Sequence, residues 1–190
     1  MLKLAVLGST NGTDLQALLD AQVGHQLGEA EIVLVVSNKP AAGILDKARR
    51  VGVEAVCIEA ATQTDFEHQL LNMLQRRKVD LILLIGFMRI LSDEFVRQYD
   101  HKILNIHPSL LPKYAGGMNL DVHAEVLKQG DAVTGCTLHY VTEQLDGGPI
   151  YGQEEVAVLP GDTPQTLKIR VQAAEQKLLL RAVRELADKP

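Results

Sequence analysis

The strongest constraint on how this chain folds is a rhythm. Short, mostly apolar runs alternate with segments of helical period, and no linker or low-complexity stretch separates them. The runs Lys3–Leu7, Glu31–Val36, Ala55–Ile58, Leu81–Ile85 and Ile103–Ile106 show little apolar–polar alternation, as parallel strands covered on both faces do. Between them, Thr13–Ala21, Gly43–Val51, Asp65–Arg77 and Ser92–Tyr99 have helical spacing, for example at Phe66, Leu70, Leu71 and Leu74. The rhythm changes after a further helix at Asp121–Gln129. Two strands, Val133–Val141 and Ile150–Val156, are separated only by residues 142–149, too few for a crossover helix, so their connection is antiparallel or an excursion at a sheet edge. A long helix over Thr163–Lys189 ends the chain, with Ile169, Val171, Leu178, Leu179, Val183 and Leu186 as its apolar positions. The pattern predicts an α/β fold: a seven-stranded, mixed but mostly parallel sheet with helices on both faces. Its ligand crevice should lie at the carboxyl ends of the strands, where strand order reverses.

At 190 residues the chain matches one domain spanning 1–190. A 4% aromatic share without Trp leaves little for base stacking, and a net charge of −5 repels a phosphate backbone, so no nucleic-acid partner is expected. The one dense basic cluster, Arg76-Arg77-Lys78, reads as a solvated helix end. The longest apolar run, Leu81 to Leu91, is broken by Arg89 and falls well short of the roughly 20 residues a membrane span needs. The first residues lack the pattern of a signal peptide, so no membrane partner is expected and cytoplasmic residence is the default. Cys57 and Cys136 have no zinc spacing and read as packing residues. The histidines show neither H-x-x-x-H nor H-x-H spacing, so no metal is expected.

Three polar segments could carry chemistry. The turn Gly8-Ser9-Thr10-Asn11-Gly12-Thr13-Asp14 delivers small residues onto a helix N-terminus, where free N–H groups and the dipole favour an anion such as a phosphate. It lacks the Lys of a P-loop and the G-x-G-x-x-G of a dinucleotide fingerprint. It reads equally as an ordinary capped turn. At the end of the fifth strand, Asn105 and His107 share a face with Ile106 turned into the core, and Pro108 holds His107 extended. An amide donor and an imidazole there could stabilise an oxyanion and move a proton, or be merely satisfied polar groups. Asp146 stands in a turn with Gly147, Gly148 and Pro149, where glycines permit positive φ and close backbone approach; a plain Asp-Gly turn is the alternative. His139, alternating with Thr137, reads as a packed histidine or a donor behind the site.

Taken in order, Ser9-Thr10-Asn11-Gly12-Thr13-Asp14-Leu15-Gln16, then Gly86-Phe87-Met88-Arg89-Ile90-Leu91, then Asn105-x-His107-Pro-Ser-Leu-Leu-Pro, then Asp146-Gly147-Gly148-Pro149, these segments resemble the folate-dependent formyltransferases. Within that family they are most similar to the phosphoribosylglycinamide formyltransferases of purine synthesis, over essentially the whole chain. The resemblance implies the formyltransferase Rossmann-like fold, with a phosphate-binding N-terminal half and a folate-binding, catalytic C-terminal half. It implies transfer of a formyl group from 10-formyltetrahydrofolate to the amine of glycinamide ribonucleotide, these being the only small-molecule partners, without a metal. Asn105, His107 and Asp146 match the catalytic trio, with a protonated His107 favoured by Asp146. Asn11, Gly12, Thr13, Asp14, Gln172 and Glu175 match the positions that hold the ribonucleotide phosphate and ribose. Met88, Arg89, Ile90 and Leu91, with Asn105 and Thr142, Glu143, Gln144, Leu145 and Asp146, match the folate pocket.

The chain departs from the family pattern at several points. Thr10 replaces a glycine of the first loop, and Thr13-Asp14 replaces a Ser-Asn pair, setting a negative charge near the phosphate unless the backbone of Asp14 faces it. Gln63 stands where the family often has a folate-contacting Arg. Residues 115–123 form an altered, longer loop that retains one histidine, His123. Relatives that act on methionyl-tRNA or deformylate the folate carry extra domains for which this length has no room. A sugar-nucleotide formyltransferase and a noncatalytic folate- or nucleotide-binding module remain as alternatives. The oligomer, monomer or homodimer, is left open.

Overall fold

The computed structural model describes residues 1–117 and 119–188. Lys189 at the end of the expected terminal helix, and Met118 within the 115–123 segment, lie outside them. The elements run β1 (Leu2–Leu7), α1 (Thr13–Val23), β2 (Ala30–Ser37), α2 (Gly43–Arg50), β3 (Ala55–Cys57), α3 (Gln63–Arg77), β4 (Leu81–Leu84), α4 (Asp93–Gln98), β5 (Ile103–His107), α5 (Asn119–Gln129), β6 (Val133–Tyr140), β7 (Ile150–Ala157) and α6 (Pro164–Ala187). One seven-stranded sheet has the order β3-β2-β1-β4-β5-β6-β7. Strands β1 to β5 pair in parallel, and β6 and β7 join antiparallel. The α/β class and the mixed, mostly parallel sheet are those the rhythm predicts. Strand order reverses between β1 and β4, so the turns leaving these two strands flank a crevice.

Period-two alternation divides the strand residues between two helical layers. Leu4 and Val6 of β1, and Leu81 and Leu83 of β4, face the core formed with α1, α2, α5 and α6. Ala5 and Leu7, and Ile82 and Leu84, face α3 and α4 on the other side. A register shift in the β1–β2 pair opposes Leu4 to Ile32 and Ala5 to Leu34, so Val33 is an extra residue that lets both strands keep their faces. Burial on both faces is why these strands read as continuous apolar runs.

Element ends differ from the sequence-based boundaries by one or two residues where capping decides them. Thr62 caps α3, Ser92 caps α4, and Thr163 with Thr166 forms a capping box on α6. One apolar position was wrongly assigned. Ile169 is 67% exposed, because the buried stripe of α6 runs through Leu167, Val171, Glu175, Leu178, Leu179, Ala182 and Val183. Ile169 sits midway between Leu167 and Val171 and therefore on the opposite face.

Candidate active site

A cavity of about 490 Å³ opens over the carboxyl ends of β1, β4 and β5 and is completed by α6 and the β6–β7 connection. This is where a ligand crevice of a reversed-order sheet belongs. Of the residues singled out from sequence, Asn11, Thr13, Asp14, Met88, Arg89, Ile90, Leu91, Asn105, His107, Thr142, Glu143, Gln144, Leu145, Asp146, Gln172 and Glu175 all line it. Gly12 is not in the lining. It is the left-handed N-cap of α1 (φ 65°), and a Cβ there would sit 2.5 Å from Ile44 Cγ1. It shapes the turn without reaching the cavity wall.

The turn after β1 leaves the first N–H groups of α1 without a side-chain cap. Its Ser9 pins neighbouring loops: Ser9 Oγ donates to Asn38 Oδ1 at 2.6 Å and accepts from the Met88 N–H at 2.8 Å. Beyond β4, Arg89 Nε donates to Gln63 Oε1 at 2.6 Å, and Gln63 Nε2 donates to the Ile90 carbonyl at 3.0 Å. Gln63 therefore braces the loop at 88–91. Met88, Ile90 and Leu145 leave large apolar surfaces exposed around this end of the cavity, and Glu143 is held by Arg97 at 2.5 Å.

At the centre, β5 presents Asn105 and His107 on one face while Leu104 and Ile106 enter the core. Antiparallel pairing sets His139 of β6 directly opposite Asn105. The Nδ1–H of His139 donates to the Tyr140 carbonyl at 3.0 Å, so its Nε2 is free to accept from Asn105 Nδ2 at 3.1 Å. The Asp146 carboxylate lies between two histidines, 3.5 Å from His107 Nδ1 and 3.5 Å from His139 Nε2, and accepts from the Gly116 N–H at 2.7 Å. His139, left open from sequence as packed or supporting, is thus a member of this cluster.

His107 is 4% exposed, and its Nε2–H donates to the Tyr114 carbonyl at 3.1 Å. Burial pushes its pKa below the usual imidazole value; the Asp146 charge and the Tyr114 carbonyl pull the other way without overcoming it. Burial thus works against the imidazolium that the resemblance implies, while the Asp146 carboxylate facing Nδ1 works for it. Asp146 itself is held below the ordinary carboxylate range, first by the His139 ring beside it, against the opposing effect of its burial.

The β6–β7 connection also behaves differently from expectation. The residue at positive φ is Asp146 (φ 50°), not a glycine. Gly148 is required for close approach, since a Cβ there would lie 1.9 Å from the Tyr140 carbonyl oxygen.

At the α1–α6 end, Asp14 (8% exposed) and Glu175 (5% exposed) are buried in the cavity wall, and burial pushes both carboxyls above the ordinary carboxylate range. His123, from the altered 115–123 segment, is buried in the cavity wall, and burial pushes its pKa down to about 4. Lys168 also lines this end; sequence reading missed it. The signal was its spacing to Gln172 and Glu175, which sets all three on one helix face. Among the described residues, no three His, Cys, Asp or Glu side chains are grouped to hold a metal ion, and no helix is long and apolar enough to cross a membrane.

Sheet order, crevice and polar cluster together define an α/β protein with a small-molecule site at the reversal point of a mixed sheet. The chain belongs to the formyl transferase family, whose model matches residues 2–183, and the resemblance drawn from its motifs is borne out. It is 37% identical to the phosphoribosylglycinamide formyltransferase of Escherichia coli (strain K12), over 98% of this chain and 88% of that protein. It is 45% identical to the trifunctional purine biosynthetic protein adenosine-3 of Gallus gallus over 97% of this chain, but spans only 18% of that relative's length. Its fold matches the crystal structure of glycinamide ribonucleotide transformylase 1 from Symbiobacterium toebii with a TM-score of 0.92 and 38% identity, covering 99% of this chain and 88% of the other.

Proposed function

We propose that this chain transfers the formyl group of 10-formyltetrahydrofolate to the amine of glycinamide ribonucleotide, giving formylglycinamide ribonucleotide and tetrahydrofolate, in the cytoplasm as a step of purine synthesis. The observation that carries this reading is the position of Asn105, His107 and Asp146 in one cavity, with an uncapped helix N-terminus at one end and exposed apolar side chains at the other. The turn at Asn11–Asp14, with Gln172 and Glu175, takes the ribonucleotide. Residues 88–91 and 142–146 take the folate, whose ring system covers the apolar surface of Met88, Ile90 and Leu145.

In the reaction the amine nitrogen attacks the formyl carbon, and the carbonyl electron pair moves onto oxygen. Asn105 donates one amide N–H to His139, which orients the other toward the oxyanion. His107 gains proton affinity as negative charge develops beside it and takes up, through Asp146 or water, the proton that the attacking amine loses. Asp146 accepts the proton that the attacking amine must lose, directly or through water. Collapse of the intermediate breaks the bond from the formyl carbon to N10, and His107 returns that proton to N10 as tetrahydrofolate leaves.

The test is formyl transfer by the purified chain from 10-formyltetrahydrofolate to glycinamide ribonucleotide, methionyl-tRNA, an amino-sugar nucleotide and water. The ribonucleotide alone should be formylated. Transfer to another acceptor, or hydrolysis alone, overturns the assignment.

A further inference from the structure

Behind the cavity wall that carries His107, two segments far apart in the chain are tied together. Lys113 and Tyr114 lie in the loop that leads from β5 to α5, and Asp131 stands in the turn from α5 into β6. All three lie outside the cavity lining. The turn is closed onto the end of α5: Gly130 is at φ 70°, and the Asp131 N–H donates to the Val126 carbonyl at 3.3 Å. The Tyr114 hydroxyl donates to Asp131 Oδ2 at 2.6 Å, and Lys113 Nζ donates to the two carboxylate oxygens at 2.6 and 2.7 Å. Lys113 is 57% exposed, so its ion pair is screened by water and contributes little. The hydroxyl bond to the carboxylate is part-buried and is the firmer tether.

The tether matters because of what the backbone of Tyr114 holds. Tyr114 is at φ 63°, a left-handed conformation that a bulky residue keeps only where its surroundings fix it. Its carbonyl accepts from the Nε2–H of His107 at 3.1 Å, and two residues further on the Gly116 N–H donates to Asp146 at 2.7 Å. One short segment therefore contacts both His107 and Asp146. While the Nε2–H of the neutral ring is spent on Tyr114, Nδ1 is the nitrogen without a proton, 3.5 Å from Asp146. We propose that Asp131 is a positioning residue: by accepting from the Tyr114 hydroxyl it holds the Tyr114 carbonyl on Nε2 of His107, and so keeps Nδ1 aimed at Asp146 as the nitrogen that takes and returns the proton. The part played in formyl transfer rests on the function proposed above; the hold on the His107 ring does not.

Tyr114→Phe, which deletes only the hydroxyl, Asp131→Ala, the double variant and Lys113→Met are compared with the wild type as full chains of unchanged circular dichroism. Nitrogen NMR of the His107 ring, at a pH where the ring is neutral, reads which nitrogen carries the proton. The wild type should hold it on Nε2, whereas Tyr114→Phe and Asp131→Ala should each show a mixture of both tautomers. In formyl transfer to glycinamide ribonucleotide, kcat should fall about tenfold or more in each, the cost of a misplaced proton-transfer group, while KM for either substrate stays within about twofold. The double variant should be no slower than the slower single one, because both break the same bond, and Lys113→Met should lose less than about threefold. An unchanged tautomer or unchanged kcat in Tyr114→Phe overturns the proposal. So does a loss that appears in KM instead of kcat, or an equal loss in Lys113→Met. A wild type that formylates no ribonucleotide, with the single tautomer still lost in both variants, refutes the function proposed above and leaves the hold on His107 standing. Transfer that survives Tyr114→Phe undiminished refutes this proposal alone.

Discussion

Asp146 combines two demands that rarely fall on one residue: it sits at positive φ and its carboxylate lies between two histidines. Asparagine tolerates that backbone region as aspartate does, so Asp146→Asn removes charge while leaving the turn in place. Its turnover should fall at least about 100-fold with near-normal stability. The His107 pKa, already lowered by burial, should drop further, because the Asp146 charge is the largest influence raising it. NMR titration of the His107 ring checks this, and wild-type turnover with an unmoved titration would return Asp146 to a turn residue. His107→Ala and Asn105→Ala should each cost about 100-fold or more in kcat, the scale of a lost oxyanion donor, with an unchanged circular dichroism spectrum. Asp14 affords a stability test. Burial pushes its folded pKa up to about 6, above the ordinary carboxylate value, so the folded state binds more protons than the unfolded chain between those values and stability falls as pH rises through them. Asp14→Asn should therefore unfold at higher urea than the wild type near pH 7.5, by about 1–3 kcal/mol, with the gain vanishing near about pH 4. Asn105 and His107 could be found from sequence because i and i+2 on a strand share a face. The place of His139 depends on which residue it opposes across β5 and β6, and register is not written in either strand alone.

At the scale of elements, rigid backbone approach does much of the positioning. Gly148→Ala should abolish measurable turnover while leaving a folded protein, because its Cβ would meet the Tyr140 carbonyl at 1.9 Å and push the loop bearing Asp146 off β6. Unchanged activity with wild-type circular dichroism would show that the loop can yield without moving the carboxylate. The inner parallel strands were legible because burial on both faces leaves uninterrupted apolar runs, and the break after Val133 announced the antiparallel pair. The helix faces were less legible. In α6 a carboxylate, Glu175, occupies the buried stripe between Val171 and Leu178, and an isoleucine, Ile169, occupies the exposed side. A hydrophobicity pattern counts both against their true positions. An acid at a core position of an otherwise apolar stripe is the kind of local inconsistency that marks a working site.

For the whole molecule, the sheet supplies one floor on which two loops from opposite sides of the strand-order reversal meet. Ser9 joins them: its N–H donates to the Gly86 carbonyl at 3.0 Å, and its hydroxyl links the Met88 N–H to Asn38 at the end of β2. The loop assigned to the folate and the turn assigned to the ribonucleotide are thus fastened by a single side chain. Fixing either loop removes conformational freedom from the other, so the first ligand to arrive meets part of the ordering cost of the second, and the coupling is the same in both orders of addition. Ser9→Ala cuts the hydroxyl link and leaves both ligand surfaces intact. The affinity gain that each ligand confers on the other should shrink in that variant, while either ligand alone binds much as before.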